Sequence, residues 1–298
     1  MTDSRLRMQD PRTQYPEPPF PEQPQPAPGL ASRMDPKPDH GETSYRGSGK
    51  LVGRKALVTG ADSGIGRAAA VAFAREGADV AIVHLPEEAE DAREVLALIE
   101  AEGRKGVSIP GDIKDEGFCT RMVEQAAEAL GGIDILVNNA GKQRTKPSIE
   151  EIDTEQFDET LKTNLYALFW ITKAAVKHLP EGASVINTAS IQAVEPSEAL
   201  LDYAITKAGI VAFTKALSKQ LIKKGVRVNA VAPGPVWTAL QPSGGQTQEK
   251  VKHFGEQAPL GRPGQPVELA PVYVLLASQE ASFITGEVYG VTGGEGMV

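Results

Sequence analysis

An α/β fold, a doubly wound parallel sheet covered by helices on both faces, is what this sequence of 298 residues predicts. Two observations carry the prediction. Short apolar runs rich in Val and Ile alternate with amphipathic stretches along most of the chain, and a glycine-rich turn joins the first such run to the first amphipathic stretch. Wholly apolar strands interleaved with helices belong to a sheet that is buried on both sides.

The elements follow in order. KALVT from Lys55 reads as the first buried strand, and Ile65 to Glu76 as a helix. VAIVH from Val80 is the second strand, followed by a helix over Glu87 to Glu102. GVSIP from Gly106 is the third, with a helix from Asp115 to Leu130. IDILVNN from Ile133 is the fourth, before one long helix over Thr154 to Leu179. ASVINT from Ala183 is the fifth, Leu201 to Lys224 a helix, and VRVNAVA from Val226 the sixth. A helix over Val267 to Leu276 precedes the last strand, EVYGV from Glu287. No internal repeat and no second domain is visible, so residues 51–298 read as a single domain.

Residues 1–50 differ from the rest. Ten of the 22 prolines fall there, in runs such as PEPPFPEQPQPAPG, so this arm is expected to be extended. It is either a disordered tail or a segment lying along the body or a neighbouring subunit. Tyr15, Phe20 and Tyr45 offer apolar anchors and tilt the expectation towards docking.

Composition excludes several function classes. An apolar fraction of 41% supports an ordinary buried core. A formal charge of -8 repels polyanions and argues against a nucleic-acid partner. Cys119 is the single cysteine, and with four scattered histidines no metal-ligand spacing is present. The polar N-terminus lacks the apolar stretch of a signal peptide, and no run approaches the roughly 18 apolar residues of a membrane span. A cytoplasmic protein without a membrane partner is the expectation.

Chemistry enters with TGADSGIG, Thr59 to Gly66, directly after the first strand. Gly60 allows a turn that a side chain would block. Gly64 lets the backbone approach a pyrophosphate, and Gly66 permits close helix–strand packing. The following helix points free N–H groups and its positive dipole end at the phosphates. Tyr203 and Lys207, four apart in a predicted helix, share one face, and Ser190 ends the fifth strand thirteen residues before Tyr203. A free tyrosine, with a pKa of about 10, is a poor base at neutral pH; a neighbouring ammonium would lower that value.

With its Gly-x-x-x-Gly-x-Gly spacing, the loop resembles the cofactor signature of the short-chain dehydrogenase/reductase family. The remaining family marks follow over about residues 50–298, implying a Rossmann-type doubly wound sheet. The resemblance makes Tyr203 the general acid/base, Lys207 its activator and the holder of the nicotinamide ribose, and Ser190 the partner of the substrate oxygen. Asn164, in KTNLYALF, matches the fourth catalytic position, where an Asn holds a water that links the lysine to solvent. It could also be an ordinary helical Asn. Many relatives end the fifth strand in Ser-Ser, whereas this chain has Ala189-Ser190.

The cofactor site implied by the resemblance comprises Gly60, Asp62, Ser63, Gly64, Ile65 and Gly66 in the loop, with His84 and Leu85 at the end of the second strand. Asp112 and Ile113 follow the third strand; Asp112 either binds adenine or caps the next helix. Asn139, Ala140 and Gly141 follow the fourth, where the polar pair Asn138–Asn139 points to a site rather than plain packing. Tyr203 and Lys207 belong to this site too, as do Pro233, Gly234, Val236 and Thr238 of PGPVWT.

His84 stands where an acid would select NAD, and no Lys or Arg stands in the loop or at the strand end. Asp62, Glu87 and Glu88 disfavour a 2′-phosphate and tilt the reading to NAD, although His84 could cap that phosphate and NADP stays open.

The stretch ALQPSGGQTQEKVKHFGEQAPLGRPG reads as a lid over the substrate. Gln192, Val194 and Trp237 are expected to line the pocket, unless Trp237 is plain packing. Such a pocket would mix apolar walls with a few polar groups and is expected to suit a small alcohol, aldehyde, ketone or sugar-like polyol. The arm, with IQAVEPS, GQTQ and LASQEAS, is similar to a narrower bacterial branch of general stress proteins and glucose/ribitol-type dehydrogenases. Relatives of this kind are commonly homotetramers.

Two other readings stand beside the leading one. A 3-oxoacyl-carrier-protein reductase would share every motif, though the acidic charge balance opposes docking of an acidic carrier. A non-catalytic cofactor-binding sensor or scaffold is a different class, opposed by the intact Ser190, Tyr203 and Lys207.

Overall fold

A computed structural model of the chain describes residues 7–296. Seven strands are present among them: β1 (Lys55–Thr59), β2 (Asp79–His84), β3 (Gly106–Pro110), β4 (Ile135–Asn138), β5 (Ser184–Thr188), β6 (Arg227–Pro233) and β7 (Val288–Val291). They form one sheet in the order β3-β2-β1-β4-β5-β6-β7, and every pairing is parallel. Val58 of β1, for example, stands between Ile82 of β2 and Val137 of β4.

The side-chain period of two sorts each strand between two cores. Ala56 and Val58 join Ile82, Val137 and Phe73 on one face. That face is covered by α1 (Gly64–Arg75), α2 (Ala89–Ala101) and α8 (Pro266–Ala277). Leu57 joins Val83, Leu136, Met122 and Ile171 on the other. There α3 (Glu116–Leu130), α5 (Ala167–Ala175) and α6 (Leu201–Leu221) pack. The chain winds outwards from β1 to β3, then returns to place β4 beside β1. That reversal opens a crevice at the carboxyl ends of the strands, where ligands of such sheets bind.

Two local departures from the expected elements, in the long helix and in the lid, have physical causes, while the third helix starts where expected. The long helix over 154–179 is divided into α4 (Thr154–Leu161), a π-helical turn over Lys162–Tyr166, and α5. At that turn the Asn164 side chain reaches the loop after β4: Lys142 N–H donates to its Oδ1 at 2.7 Å, and its Nδ2 donates to the Lys142 carbonyl at 2.9 Å. The third helix begins after Asp115, whose carboxylate accepts the Phe118 N–H. Inside the expected lid lie a π-helical turn over Gln241–Gly245 and α7 (Gln248–Lys252), capped by the Thr247 side chain.

The arm is extended and lies on the body. Proline leaves its main chain few donors for a ladder, so the remaining polar groups bond to the domain. Phe20 N–H donates to the Lys252 carbonyl at 2.8 Å, Val267 N–H to Asp39 at 3.0 Å, and the Tyr45 hydroxyl to Glu76 Oε1 at 2.6 Å. The Tyr15 ring lies 5.1 Å from the Arg262 guanidinium carbon.

Trp237 belongs to this interface and not to the pocket, which corrects its sequence assignment. It is fully buried, its ring 4.2 Å from Phe20 and 6.2 Å from Phe254. Its indole N–H donates to the Pro36 carbonyl at 2.8 Å. The ring is the largest apolar body under the arm, so the arm's own side chains claim it. Trp237→Ala should cost about 3–5 kcal/mol of unfolding free energy in a urea titration. A loss below about 1 kcal/mol would mean that the arm is not part of the cooperative fold.

Candidate active site

The crevice at the carboxyl ends of the strands is a cavity of about 750 Å3. β1 delivers the glycine loop to it. Gly60 turns with φ +61°, in the left-handed region where a side chain is strained, and its N–H donates to Val83 at 2.8 Å. Gly66 stands behind the loop. A Cβ there would sit 2.0 Å from the Gly60 carbonyl oxygen and 2.5 Å from Asn139 Nδ2. Asp62, Ser63, Gly64 and Ile65 line the cavity. Ser63, the residue before α1, makes no side-chain cap to it. The helix therefore keeps free N–H groups at its positive end, which is the donor set a pyrophosphate requires. The residues present fit a dinucleotide.

β4 delivers Asn139, Ala140 and Gly141 to the opposite wall. Asn139 Nδ2 donates to the carbonyls of Thr59 (3.1 Å) and Gly60 (3.0 Å), so it shapes the loop from behind. Asn138 corrects the expectation for that pair. Its Nδ2 donates to Asn187 Oδ1 at 2.9 Å and Thr172 Oγ1 at 3.0 Å, holding sheet to helix away from the cavity.

The end of the cavity beside β2 and β3 is rich in carboxyl groups. Asp62, His84, Leu85, Glu88, Asp112 and Ile113 line it. Burial pushes the Asp62 carboxyl up to about 6. Burial, and then the Asp62 charge, push Glu88 up to about 8. His84 offers no free nitrogen to a phosphate. Nδ1 lies 2.7 Å from the Leu85 carbonyl, and Nε2 lies 2.8 Å from the Ser108 hydroxyl. Because a carbonyl only accepts, Nδ1 carries a proton, and Nε2 is taken up by the Ser108 hydroxyl. Asp112 does not cap α3, a task Asp115 performs, and its carboxylate stays at the cavity rim, 47% exposed.

Ser190, Tyr203 and Lys207 meet on the remaining wall. Ser190 follows β5, and its Oγ accepts the Gln192 N–H at 3.2 Å. One turn of α6 separates Tyr203 from Lys207, whose Nζ sits 5.3 Å from the phenol ring centre. Lys207 Nζ donates to the Thr188 carbonyl at 2.8 Å, which ties it to the end of β5.

The charge states differ from the sequence expectation. Burial pushes the Tyr203 phenol up to about 12, opposed in part by its hydrogen bond with Ser190. Burial pulls the Lys207 ammonium down to about 7. The expected lowering of the phenol by its lysine is therefore not found. A lysine that is itself taken out of water is charged only part of the time at neutral pH, and desolvation dominates both groups.

Asn164 stands outside the cavity lining. Besides Lys142, its Nδ2 donates to Thr206 Oγ1 at 3.0 Å, and Thr206 Oγ1 donates to the Tyr203 carbonyl at 2.7 Å. Its side chain couples the π-helical turn to the turn of α6 that carries Tyr203. Pro233, Gly234, Val236 and Thr238 line the cavity, as does Gln192. Val194 does not. It is 44% exposed and outside the lining, because the 3-10 turn Ile191–Ala193 ends there and turns it to solvent. Sequence reasoning missed Ala27, Pro28 and Gly29 of the arm, and Gln143 and Gln241, all of which line the cavity. Nothing local marks them, since each reaches the site through long-range packing. No helix among the described residues is long and apolar enough to cross a membrane.

Known proteins agree with this architecture. A family model described as enoyl-(acyl carrier protein) reductase matches residues 60–295. The uncharacterized oxidoreductase YghA of Escherichia coli (strain K12) is 58% identical over 288 residues, 97% of this chain and 98% of that one. The glucose and ribitol dehydrogenase of Daucus carota is 45% identical over 281 residues, 92% of this chain and 96% of that one. A short-chain dehydrogenase from Burkholderia cenocepacia J2315, solved in complex with NADP, superposes with a TM-score of 0.77 at 35% identity. The match covers 82% of this chain and 98% of that one. A glycine loop at the mouth of a seven-stranded parallel sheet, facing Ser190, Tyr203 and Lys207, fits these matches, and the chain belongs to the short-chain dehydrogenase/reductase family of NAD(P)-dependent oxidoreductases.

Proposed function

We propose that this oxidoreductase reduces the carbonyl group of a small aldehyde, ketone or sugar-like substrate, with Tyr203 as proton donor. The observation that carries the reading is the meeting of Ser190, Tyr203 and Lys207 on one wall of the cavity that holds the glycine loop. The carrot relative's name supports polyols and their carbonyl counterparts as the substrate class.

When bound, the nicotinamide supplies the hydride to the carbonyl carbon, which is the cofactor's own chemistry. The main-chain N–H groups at the start of α1 would hold the pyrophosphate, and Thr238, Val236 and the Pro233–Gly234 turn would receive the nicotinamide end. Ser190 Oγ hydrogen-bonds the substrate oxygen as negative charge grows on it. Tyr203 Oη gives that oxygen its proton. A phenol held up at about 12 carries its proton at neutral pH, the state from which it can protonate the product oxygen. Lys207 then faces the phenolate left behind, and that negative charge holds its own proton more firmly. Asn164 is a positioning residue, acting through Thr206 and the Tyr203 main chain.

NAD(H) is the proposed preferred cofactor. A 2′-phosphate at the end of β2 would meet the Asp62 carboxylate, still ionised at neutral pH, and find no free His84 nitrogen. NADH should bind about tenfold or more tightly than NADPH, the 1.4 kcal/mol of one unfavourable charge contact. Fluorescence titration at neutral pH measures both constants, and Asp62→Asn, which removes the carboxylate that stays ionised there, should narrow the gap. Equal affinities in the wild type would remove the preference.

Assembly through helical faces is part of this reading. Tyr166, Phe169, Leu201 and Ile205 stand 37–49% exposed on the π-helical turn, α5 and α6, an apolar surface suited to a symmetric homo-oligomer such as a tetramer.

The function is tested by following NADH and NADPH oxidation against a panel of aldehydes, ketones, aldoses and a 3-oxoacyl carrier protein. Turnover of small carbonyls supports the reading. Turnover confined to the carrier-bound substrate would make this a 3-oxoacyl-carrier-protein reductase, and cofactor binding without any turnover would make it a sensor.

A further inference from the structure

Ala27, Pro28 and Gly29 of the N-terminal arm line the same cavity as the glycine loop. We propose that this segment is a strap across the dinucleotide cleft, forming part of the cofactor site, and that it must lift for the nicotinamide cofactor to enter or leave. The proposal rests on the cofactor reading above.

The strap is moored on both banks of the cleft. On the lid side, Gln23 N–H donates to Gln248 Oε1 at 2.9 Å and Gln25 N–H to the Pro242 carbonyl at 3.2 Å. Gly29 lies flat against the lid: a Cβ there would be 2.6 Å from the Ala239 carbonyl oxygen and 2.8 Å from Ser243 Cβ. On the carboxyl-rich side, Asp91 of α2 is buried and accepts two arm N–H groups, Ala31 at 2.6 Å and Ser32 at 3.3 Å. Between these moorings the segment is preshaped, because Leu30 N–H donates back to Gln25 Oε1 at 2.8 Å. The span from Ala239 to Asp91 passes the mouth of the cleft that the glycine loop lines. A dinucleotide seated there has the lid, the loop and the strap around it.

Between the buried Phe20 and the buried Leu30 the strap is held by a few hydrogen bonds and one flat glycine contact, so this stretch can lift while its ends stay packed and the sheet stays folded. A strap that closes over bound cofactor slows release. By linkage, the cofactor in turn holds the strap down. Arg33 lies just beyond the strap, is exposed, and offers trypsin a site that reports this.

The experiment uses the full chain, the arm variant Gly29→Val, and a chain lacking residues 1–33. NADH release is followed by the fall in its fluorescence on stopped-flow mixing with excess NAD+. The release rate should rise about tenfold or more in Gly29→Val and in the shortened chain. In the intact protein, saturating NADH should slow tryptic cleavage after Arg33 about fivefold or more. A folded Gly29→Val or shortened chain that releases NADH at the wild-type rate overturns the strap. If the shortened chain does not fold, the tryptic comparison on the intact protein decides, and cleavage indifferent to NADH overturns the proposal equally. An intact protein that binds neither NADH nor NADPH in equilibrium titration is a failure of the cofactor reading itself, and this is seen before any rate is compared.

Discussion

Replacing Tyr203 with Phe should lower kcat for carbonyl reduction by about a hundredfold or more. The substitution removes one oxygen from a side chain that is 8% exposed and leaves the ring in place. What the fold loses is one hydrogen bond with Ser190, a cost of about 1 kcal/mol, so the melting temperature should fall by only a few degrees. NADH affinity should stay near the wild-type value, because the glycine loop and the carboxyl-rich end of the cavity are untouched. The combination is the test: activity lost, cofactor retained, fold retained. Ser190→Ala should also lose activity, since the substrate oxygen then lacks its hydroxyl partner, but Tyr203 could still deliver the proton. A Tyr203→Phe enzyme with unchanged kcat would mean that another group protonates the product, and the proposed mechanism would fall.

The sheet and most of the site were legible because their signals are local. Strands such as β1 and β2 carry short apolar runs, ALV and VAIV, and a run of that kind between helices has few places to go other than a sheet covered on both faces. The glycine loop is legible for a similar reason, since its residues act through their own backbone and lack of side chains. The errors arose where a side chain's partner lies far along the chain. Trp237 was expected at the pocket because its neighbours Val236 and Thr238 line it, but its ring is taken up by Phe20, more than two hundred residues earlier. Asn138 looked like its neighbour Asn139, yet the alternation of a strand end sends one inwards to Asn187 and the other towards the loop. The helix over 154–179 has an unbroken periodic pattern, and only the partners of Asn164 in another loop reveal why it breaks into a π-helical turn. Charge state was the least legible property. Four-residue spacing announces that Tyr203 and Lys207 are neighbours, but it does not say that both are withdrawn from water.

That burial gives Lys207→Met two opposed effects. Activity should fall sharply, on the order of a hundredfold, because the phenolate left after proton transfer loses its only facing cation on the helix and the nicotinamide ribose loses a donor. Stability should move the other way as pH falls. Lys207 has its pKa lowered from 10.5 in the unfolded chain to about 7 in the folded one. Between these values the unfolded chain binds a proton that the folded chain gives up, so wild-type stability rises with pH across this window. Above about 10.5 the lysine is neutral in both states and costs nothing; at and below about 7 the buried ammonium exacts its full penalty. At about 1.4 kcal/mol per pH unit that penalty is a few kcal/mol. Methionine has nothing to titrate, so the variant should lack this slope. It also leaves the Thr188 carbonyl without its donor, which offsets part of the gain by about 1–3 kcal/mol. The diagnostic quantity is therefore the change in the stability difference with pH, from urea titrations at pH 6.5, 8 and 9.5. The wild type should gain on the variant at each step upwards. Parallel pH profiles for the two proteins would show that Lys207 keeps an ordinary pKa in the folded state, and that the ammonium beside Tyr203 is permanent rather than poised near neutrality.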